Sequence, residues 1–251
     1  MIDLRGKTIL VTGGSRGIGA STVRVLARAG ARVALHYGRG LREAETIAAE
    51  LGRACRPFGA DLAAPGAALR LWEDVSAWAE RIDAIVNNAG LVVPMTIDDD
   101  LETWDRVWQE TLAVNVRAVA DLCRAAIHGF RVHGGGAIIN VASRAAFRGD
   151  DPHLMHYAAS KGALVALTRS IARGYAKDNV LAYVVAPGFV RTERQEDVIR
   201  RRGEEVMVRD IPLGEMARPE DVANVIAFLA SGLARHSTGA TIDVNGASYF
   251  H

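Results

Sequence analysis

Lys7-Thr8-Ile9-Leu10-Val11-Thr12-Gly13-Gly14-Ser15-Arg16-Gly17-Ile18-Gly19 decides how this chain folds. The run Lys7–Thr12 is apolar at its centre with no polar alternation, which marks a strand buried on both faces. Four glycines then turn the chain sharply, and a helical pattern follows at once over roughly 17–29. The same alternation repeats outward from this unit. Strands are predicted at Arg32–Tyr37, Cys55–Phe58 (a weak one), Ile82–Asn87, Ala137–Ala142, Val180–Ala186 and Thr241–Val244. Helices are predicted over about 41–51, 66–79, 101–131, 155–176 and 219–230. Strict β–α alternation with fully apolar strands implies a Rossmann-type doubly wound α/β fold, a parallel sheet of about seven strands with helices on both faces. No linker, repeat or low-complexity block interrupts it, so one domain over 1–251 is expected.

Composition narrows the class. Of 251 residues, 49% are apolar and 24% charged, a globular balance that excludes disorder. Thirty basic against 29 acidic residues leave a net charge of +1, without the basic excess of a nucleic-acid binder. No apolar run approaches the roughly 18 residues of a membrane span, and Met1–Lys7 has no apolar signal core. Two cysteines, Cys55 and Cys123, are too few for a disulfide framework or a zinc site, and a reducing, cytoplasmic setting is expected.

The glycine turn suits a dinucleotide. Gly13, Gly17 and Gly19, with Ser15, Arg16 and Ile18 between them, bring backbone N–H groups to a pyrophosphate at a helix N-terminus. The spacing is T-G-x-x-x-G-x-G, and the commoner G-x-G-x-x-G is absent. An acid at the end of the second strand would accept bonds from the ribose 2′-OH of NAD. That end reads His36-Tyr37-Gly38-Arg39, with no carboxylate. Arg16 and Arg39 are placed to attract a 2′-phosphate, so NADP(H) is preferred over NAD(H).

The second cluster is Ser143 at the end of the fifth strand, then Tyr157-Ala158-Ala159-Ser160-Lys161. Four-residue spacing puts Tyr157 and Lys161 on one helical face. A phenol with a reference pKa near 10 is a poor base at neutral pH, and a nearby ammonium is expected to lower it. Tyr157 then exchanges a proton with a substrate oxygen that Ser143 also holds.

At this point the chain closely resembles the short-chain dehydrogenase/reductase family. The resemblance runs through Thr12–Gly19, Asp61-Leu62, Asn87-Asn88-Ala89-Gly90, Asn115, Ser143, Tyr157/Lys161 and Pro187-Gly188 with Thr192, over essentially the whole length. It implies hydride exchange between nicotinamide C4 and a carbonyl carbon, and the strand order 3-2-1-4-5-6-7. It also implies that Asp61 and Leu62 border the adenine and that Asn88, Ala89 and Gly90 pass beside its ribose. Asn115 is implied to anchor a water linked to Lys161. Lys161 is implied to hold the nicotinamide ribose, and Pro187, Gly188, Val190 and Thr192 the carboxamide end. The family often carries Asn where this chain has Tyr183, which bears on packing rather than chemistry.

The stretch 189–215 follows a strand end and is expected to be a substrate lid. Leu91, Val92, Val93, Phe147, His153, Met155 and Phe189 are expected to line an apolar pocket, with His153 as its one donor. That set suits a ketone or secondary alcohol of medium size. The chain looks most similar to 3-oxoacyl-(acyl-carrier-protein) reductases. A sugar or polyol dehydrogenase and a non-catalytic dinucleotide sensor are the alternatives. His153 and His156 lack the company of a metal motif, so no metal is expected. A homotetramer is expected from the resemblance. The aromatics of the tail, Tyr249 and Phe250, are expected to be buried between subunits.

Overall fold

The computed structural model describes residues 2–251. The strands are β1 (Thr8–Val11), β2 (Arg32–Tyr37), β3 (Cys55–Gly59), β4 (Ala84–Asn87), β5 (Gly136–Val141), β6 (Val180–Pro187) and β7 (Thr241–Val244). They form a seven-stranded sheet in the order β3-β2-β1-β4-β5-β6-β7, and every pairing is parallel. The helices are α1 (Gly17–Arg28), α2 (Leu41–Leu51), α3 (Ala67–Ala79), α4 (Leu101–Leu112), α5 (Ala118–Val132), α6 (Ala145–Arg148), α7 (Met155–Tyr175), α8 (Glu193–Arg202), α9 (Glu204–Val208) and α10 (Pro219–Ser231).

Two apolar layers grow from the period-two alternation of the strands. Ile9 and Val11 point to the face covered by Val23 and Leu26 of α1 and by Val222 and Ile226 of α10. Leu10 points to the other face, against Leu71 of α3, Leu122 and Phe130 of α5, and Leu164 of α7. β1, β4 and β6 are buried along their whole length, which is why they read as continuous apolar runs. The strand order reverses between β1 and β4, and that opens a crevice at their carboxyl ends.

Three local readings change. The helix expected over 101–131 is α4 and α5 joined by a wide π turn at Ala113–Arg117. The stretch 189–215 contains α8 and α9 and has a small core of its own, Met207, Ile211 and Met216 against Phe189. Tyr249 and His251 are not spare: both stack on Phe147, at ring-centroid distances of 6.5 and 4.2 Å. Phe250 projects into solvent. No described helix is long and apolar enough to cross a membrane.

Tyr183 is fully buried in β6, and its hydroxyl donates to the Ala234 carbonyl at 2.9 Å. The ring fills the space under α10 and the hydroxyl satisfies a backbone acceptor. Tyr183→Phe should cost about 1–3 kcal/mol through the orphaned carbonyl. Tyr183→Ala should cost about 3–5 kcal/mol through the added cavity. Urea denaturation of the two variants measures both; equal losses would show that the hydroxyl, not the ring, carries the site.

Candidate active site

The glycine turn is fixed from three sides. Thr12 Oγ1 accepts the N–H groups of Asn88 and Ala89, both at 3.0 Å. The Asn88 amide donates back to the carbonyls of Thr12 (2.9 Å) and Gly13 (3.1 Å). The Gly13 N–H donates to Nδ1 of buried His36 at 3.1 Å, and His36 Nε2 lies 3.0 Å from the Ala60 carbonyl. His36 must therefore be neutral with its proton on Nε2. Gly13 and Gly17 have φ of +64° and +53°, a region that favours glycine. A Cβ at Gly19 would stand 2.0 Å from the Gly13 carbonyl oxygen.

This cradle fits a dinucleotide pyrophosphate. α1 has no side-chain cap from Arg16 and no acid in its first turn, so its amides remain available to an anion. Arg16 and Arg39 are exposed, with Tyr37 half-buried beside them at the end of β2. Ser15 is buried under the turn, and Leu62 is buried in the core. Asp61 accepts the N–H of Ala63 at 3.0 Å and so closes its own turn.

Ser143 stands just past β5, its Oγ accepts the Ala145 N–H at 3.1 Å, and it lines the same cavity as Tyr157 in the first turn of α7. Lys161, one turn later, is buried and donates through Nζ to the Val141 carbonyl at 2.8 Å. The spacing leads one to expect a phenol made more acidic by this ammonium, and here the structure differs. Nζ lies 5.7 Å from the Tyr157 ring centroid and is turned to the strand. Burial pushes the phenol above its ordinary pKa, with Asp150 adding to the rise. The Ser143 hydroxyl and the Arg194 charge work the other way. Burial also pulls Lys161 down to about 8.

Asn115 sits in the π turn with its side chain fully engaged. Nδ2 donates to the Leu91 carbonyl and to Ser160 Oγ, both at 3.0 Å, while Oδ1 accepts the Leu91 N–H at 2.7 Å. Ser160 passes the link on, donating to the Tyr157 carbonyl at 2.7 Å.

A cavity of about 770 Å³ opens over Ser143, Tyr157 and Lys161. Ile18, Asn88, Gly90, Pro187, Gly188, Val190 and Thr192 reach it, so the cofactor candidates around β4 and β6 converge there. The Thr192 methyl also lies 3.1 Å from the Cβ position of Gly17, which joins this wall to the glycine turn. Val92, His153 and Phe189 line the cavity, whereas Leu91, Val93, Phe147 and Met155 do not. His153 Nδ1 stands 3.1 Å from the Met95 carbonyl. The apolar wall also carries charge that the sequence reading did not include: Arg144, Arg148, Arg194 and Arg201 line it too. Arg144 beside Ser143 and Arg194 two residues after Thr192 are the sequence signals that mark them. Among the described residues no three His, Cys, Asp or Glu side chains form a metal-binding group.

A family model described as enoyl-(acyl carrier protein) reductase matches residues 13–247. The chain is 37% identical to the 2,3-dihydro-2,3-dihydroxybenzoate dehydrogenase of Escherichia coli (strain K12), covering 98% of each. It superposes with a TM-score of 0.88 and 34% identity on a Beutenbergia cavernae protein described as an NAD(P)-dependent gluconate 5-dehydrogenase, with NADP bound at low occupancy. That match covers 98% of this chain and 97% of the other. A 3-oxoacyl-(acyl-carrier-protein) reductase from Agrobacterium tumefaciens C58 with NADP bound gives a TM-score of 0.87 at 33% identity, over 98% and 95%.

The His36 contact makes the turn sensitive to acid. Burial lowers the His36 pKa from 6.5, so the unfolded chain binds the proton first. Its contribution is complete above about pH 6.5 and is lost as pH falls below it, by at most about 1.4 kcal/mol per unit. His36→Asn keeps an acceptor without a titrating ring. Its denaturation midpoint should fall less steeply than that of the unmodified protein between pH 7.5 and 5.5. Equal slopes would remove His36 from the acid response.

Proposed function

The chain belongs to the short-chain dehydrogenase/reductase family of oxidoreductases, and on that footing we propose that it interconverts a ketone and a secondary alcohol with NADP(H), in preference to NAD(H). The observation that carries the reading is the convergence of Ser143, Tyr157 and buried Lys161 on one cavity. NADPH, when bound, supplies the hydride. Tyr157 gives its proton to the substrate oxygen, and burial that favours the neutral phenol keeps that proton available. Ser143 holds the same oxygen. Lys161 binds the nicotinamide ribose hydroxyls, and Asn115 fixes Leu91 and Ser160 beside it. A 3-oxoacyl chain is one such ketone, in line with the activity named for the Agrobacterium relative.

Gly13, Ser15, Gly17, Ile18 and Gly19 would hold the pyrophosphate. Asp61, Leu62, Asn88, Ala89 and Gly90 would flank the adenosine, and Pro187, Gly188, Val190 and Thr192 the carboxamide. Exposed Arg16 and Arg39 beside Tyr37, with no acid at the end of β2, support the 2′-phosphate reading. NADP in both solved relatives supports it as well. The segment 189–215 would act as the substrate lid of a single domain. Partly exposed Leu112 of α4 and Met155 of α7, with projecting Phe250, support a homotetramer. Buried free thiols at Cys55 and Cys123, raised to about 11 and 12, fit a reducing cytoplasm.

Tyr157→Phe should lower turnover by about 10²–10⁴-fold while NADPH affinity, followed by fluorescence titration, stays within about three-fold. Near-normal turnover would overturn the assignment. NADPH should bind at least about ten-fold tighter than NADH, since one or two charge-assisted bonds to the phosphate each contribute about 1.5–3 kcal/mol before desolvation. Arg39→Asp should erase or invert that ratio. Equal affinity for both cofactors in the unmodified protein would take Arg16 and Arg39 out of phosphate recognition.

A further inference from the structure

We propose that the cavity is built for a substrate carrying a free carboxylate, an oxo acid or its hydroxy acid, and that Arg194 is the ion-pair partner that orients it. The proposal rests on the reading of Tyr157 as the proton donor and names the substrate class of that same site.

The first observation is how charge is divided along one short segment. On the outward side of α8, Arg191 pairs with Glu196 and Glu204, and Arg200 pairs with Asp197. The arginines that line the cavity have no such partners among the described residues. Arg194 donates to the Val92 carbonyl at 2.9 Å, and Arg201 to the Asp197 carbonyl at 3.0 Å. Arg144 is buried, donates to Ser248 Oγ at 2.5 Å and stacks 4.4 Å over Phe189. Every one of these acceptors is neutral, and of the three only Arg144 feels nearby carboxylates, those of Asp150 and Asp210. The carboxylates on the same rim, Asp150 and Asp151, accept backbone N–H groups of the loop, from Asp151 at 2.9 Å and His153 at 3.0 Å. Four guanidinium groups against two carboxylates leave the cavity mouth positive in a chain whose net charge is only +1.

The second observation is where Arg194 stands. It lines the same cavity as Ser143 and Tyr157, on the segment that follows Thr192, and its charge acts on the Tyr157 phenol. An anion held there lies next to the oxygen that Tyr157 and Ser143 address. A guanidinium offers a planar fork of N–H donors that matches a carboxylate. Arg194 commits one donor group, Nη2, to Val92, and the rest of the fork remains for a ligand. The contact to Val92 also ties α8 to the loop after β4, so an anion drawn to Arg194 is drawn between the two walls of the site. A neutral ester or thioester of the same chain gains nothing from this charge.

The test uses matched oxo acids and their methyl esters, with chains of four to eight carbons, and the holoprotein with NADPH. The unmodified protein should favour acid over ester by at least ten-fold in kcat/KM for the best pair. Arg194→Gln should shrink that ratio at least ten-fold, mainly through KM for the acid, and Arg194→Lys should restore part of it. An ester used as well as its acid would overturn the proposal. So would an unchanged ratio in Arg194→Gln, or a loss that merely follows weakened NADPH binding. If neither acid nor ester is reduced although NADPH binds, the activity reading fails, and binding alone decides the carboxylate site. Adipate and benzoate should then raise the melting temperature of the NADP-bound protein and not that of NADP-bound Arg194→Gln. Absence of that shift would overturn the proposal.

Discussion

The side-chain stitch across the carboxyl ends of β2, β1 and β4 is the contact on which the site depends. Thr12, Asn88 and His36 exchange bonds with the backbone of Thr12, Gly13, Asn88 and Ala89, and each is buried or half-buried. Strand ladders stop at these ends, so the backbone polar groups beyond them need other partners. Supplying those partners from side chains lets the glycine turn lie flat over the crevice instead of rising into solvent. The turn leaves no slack: at Gly19 even a methyl group would collide with the Gly13 carbonyl. The amides of α1 thereby point at the place where a ligand's phosphates belong.

The sheet is legible in the sequence because its strands are buried on both faces and its helices lie between them. Val180–Ala186 and Ile82–Asn87 can be read as strands without knowing their neighbours, and the edge strand β3 is weak in sequence for the same reason that it is half-covered in the fold. The pairing of Tyr157 with Ser143 is also legible, since helix period and strand ends fix both positions. Other features are not. The π turn around Asn115 inserts one residue into a helix without altering its apolar pattern. The stacking of Tyr249 is not legible because its partner, Phe147, is about 100 residues away in sequence. The arginines of the cavity look like ordinary surface charges when read one by one, and only the nearness of Arg144 to Ser143 and of Arg194 to Thr192 along the chain points to the site.

Electrostatics at the floor of the cavity follow burial more than proximity. A lysine one turn from a tyrosine invites a simple argument from attraction, yet both groups are shifted toward their neutral forms, Lys161 downward and Tyr157 upward. Removing each from water costs more than their interaction returns at this separation, because Nζ is spent on the Val141 carbonyl. A neutral phenol is a proton donor. The geometry therefore leans toward delivering a proton to an incoming carbonyl oxygen, and anything that adds positive charge beside the ring moves it the other way. Arg194 already does so, and it is the one cation on the opposite wall shown to bear on the phenol.

Placement of the phenol on the same cavity as Ser143 needs more than helix α7. The first turn of that helix begins with no side-chain cap at Leu154, and an uncapped helix end tends to fray. Ser160 donates to the Tyr157 carbonyl and accepts from Asn115, whose other bonds hold Leu91 at the end of the loop after β4. The chain of contacts thus runs from a sheet end, through the π turn, into the turn that bears Tyr157. A regular α-turn at 113–117 would rotate Asn115 away from both partners, since one residue more or less changes the facing by about 100°. The irregular turn costs some helix hydrogen bonding, and the three bonds made by Asn115 offset it. Two of these bonds fix Leu91, next to Val92, the residue to which Arg194 is tied. Tyr157, the loop after β4 and α8 are therefore referenced to one asparagine.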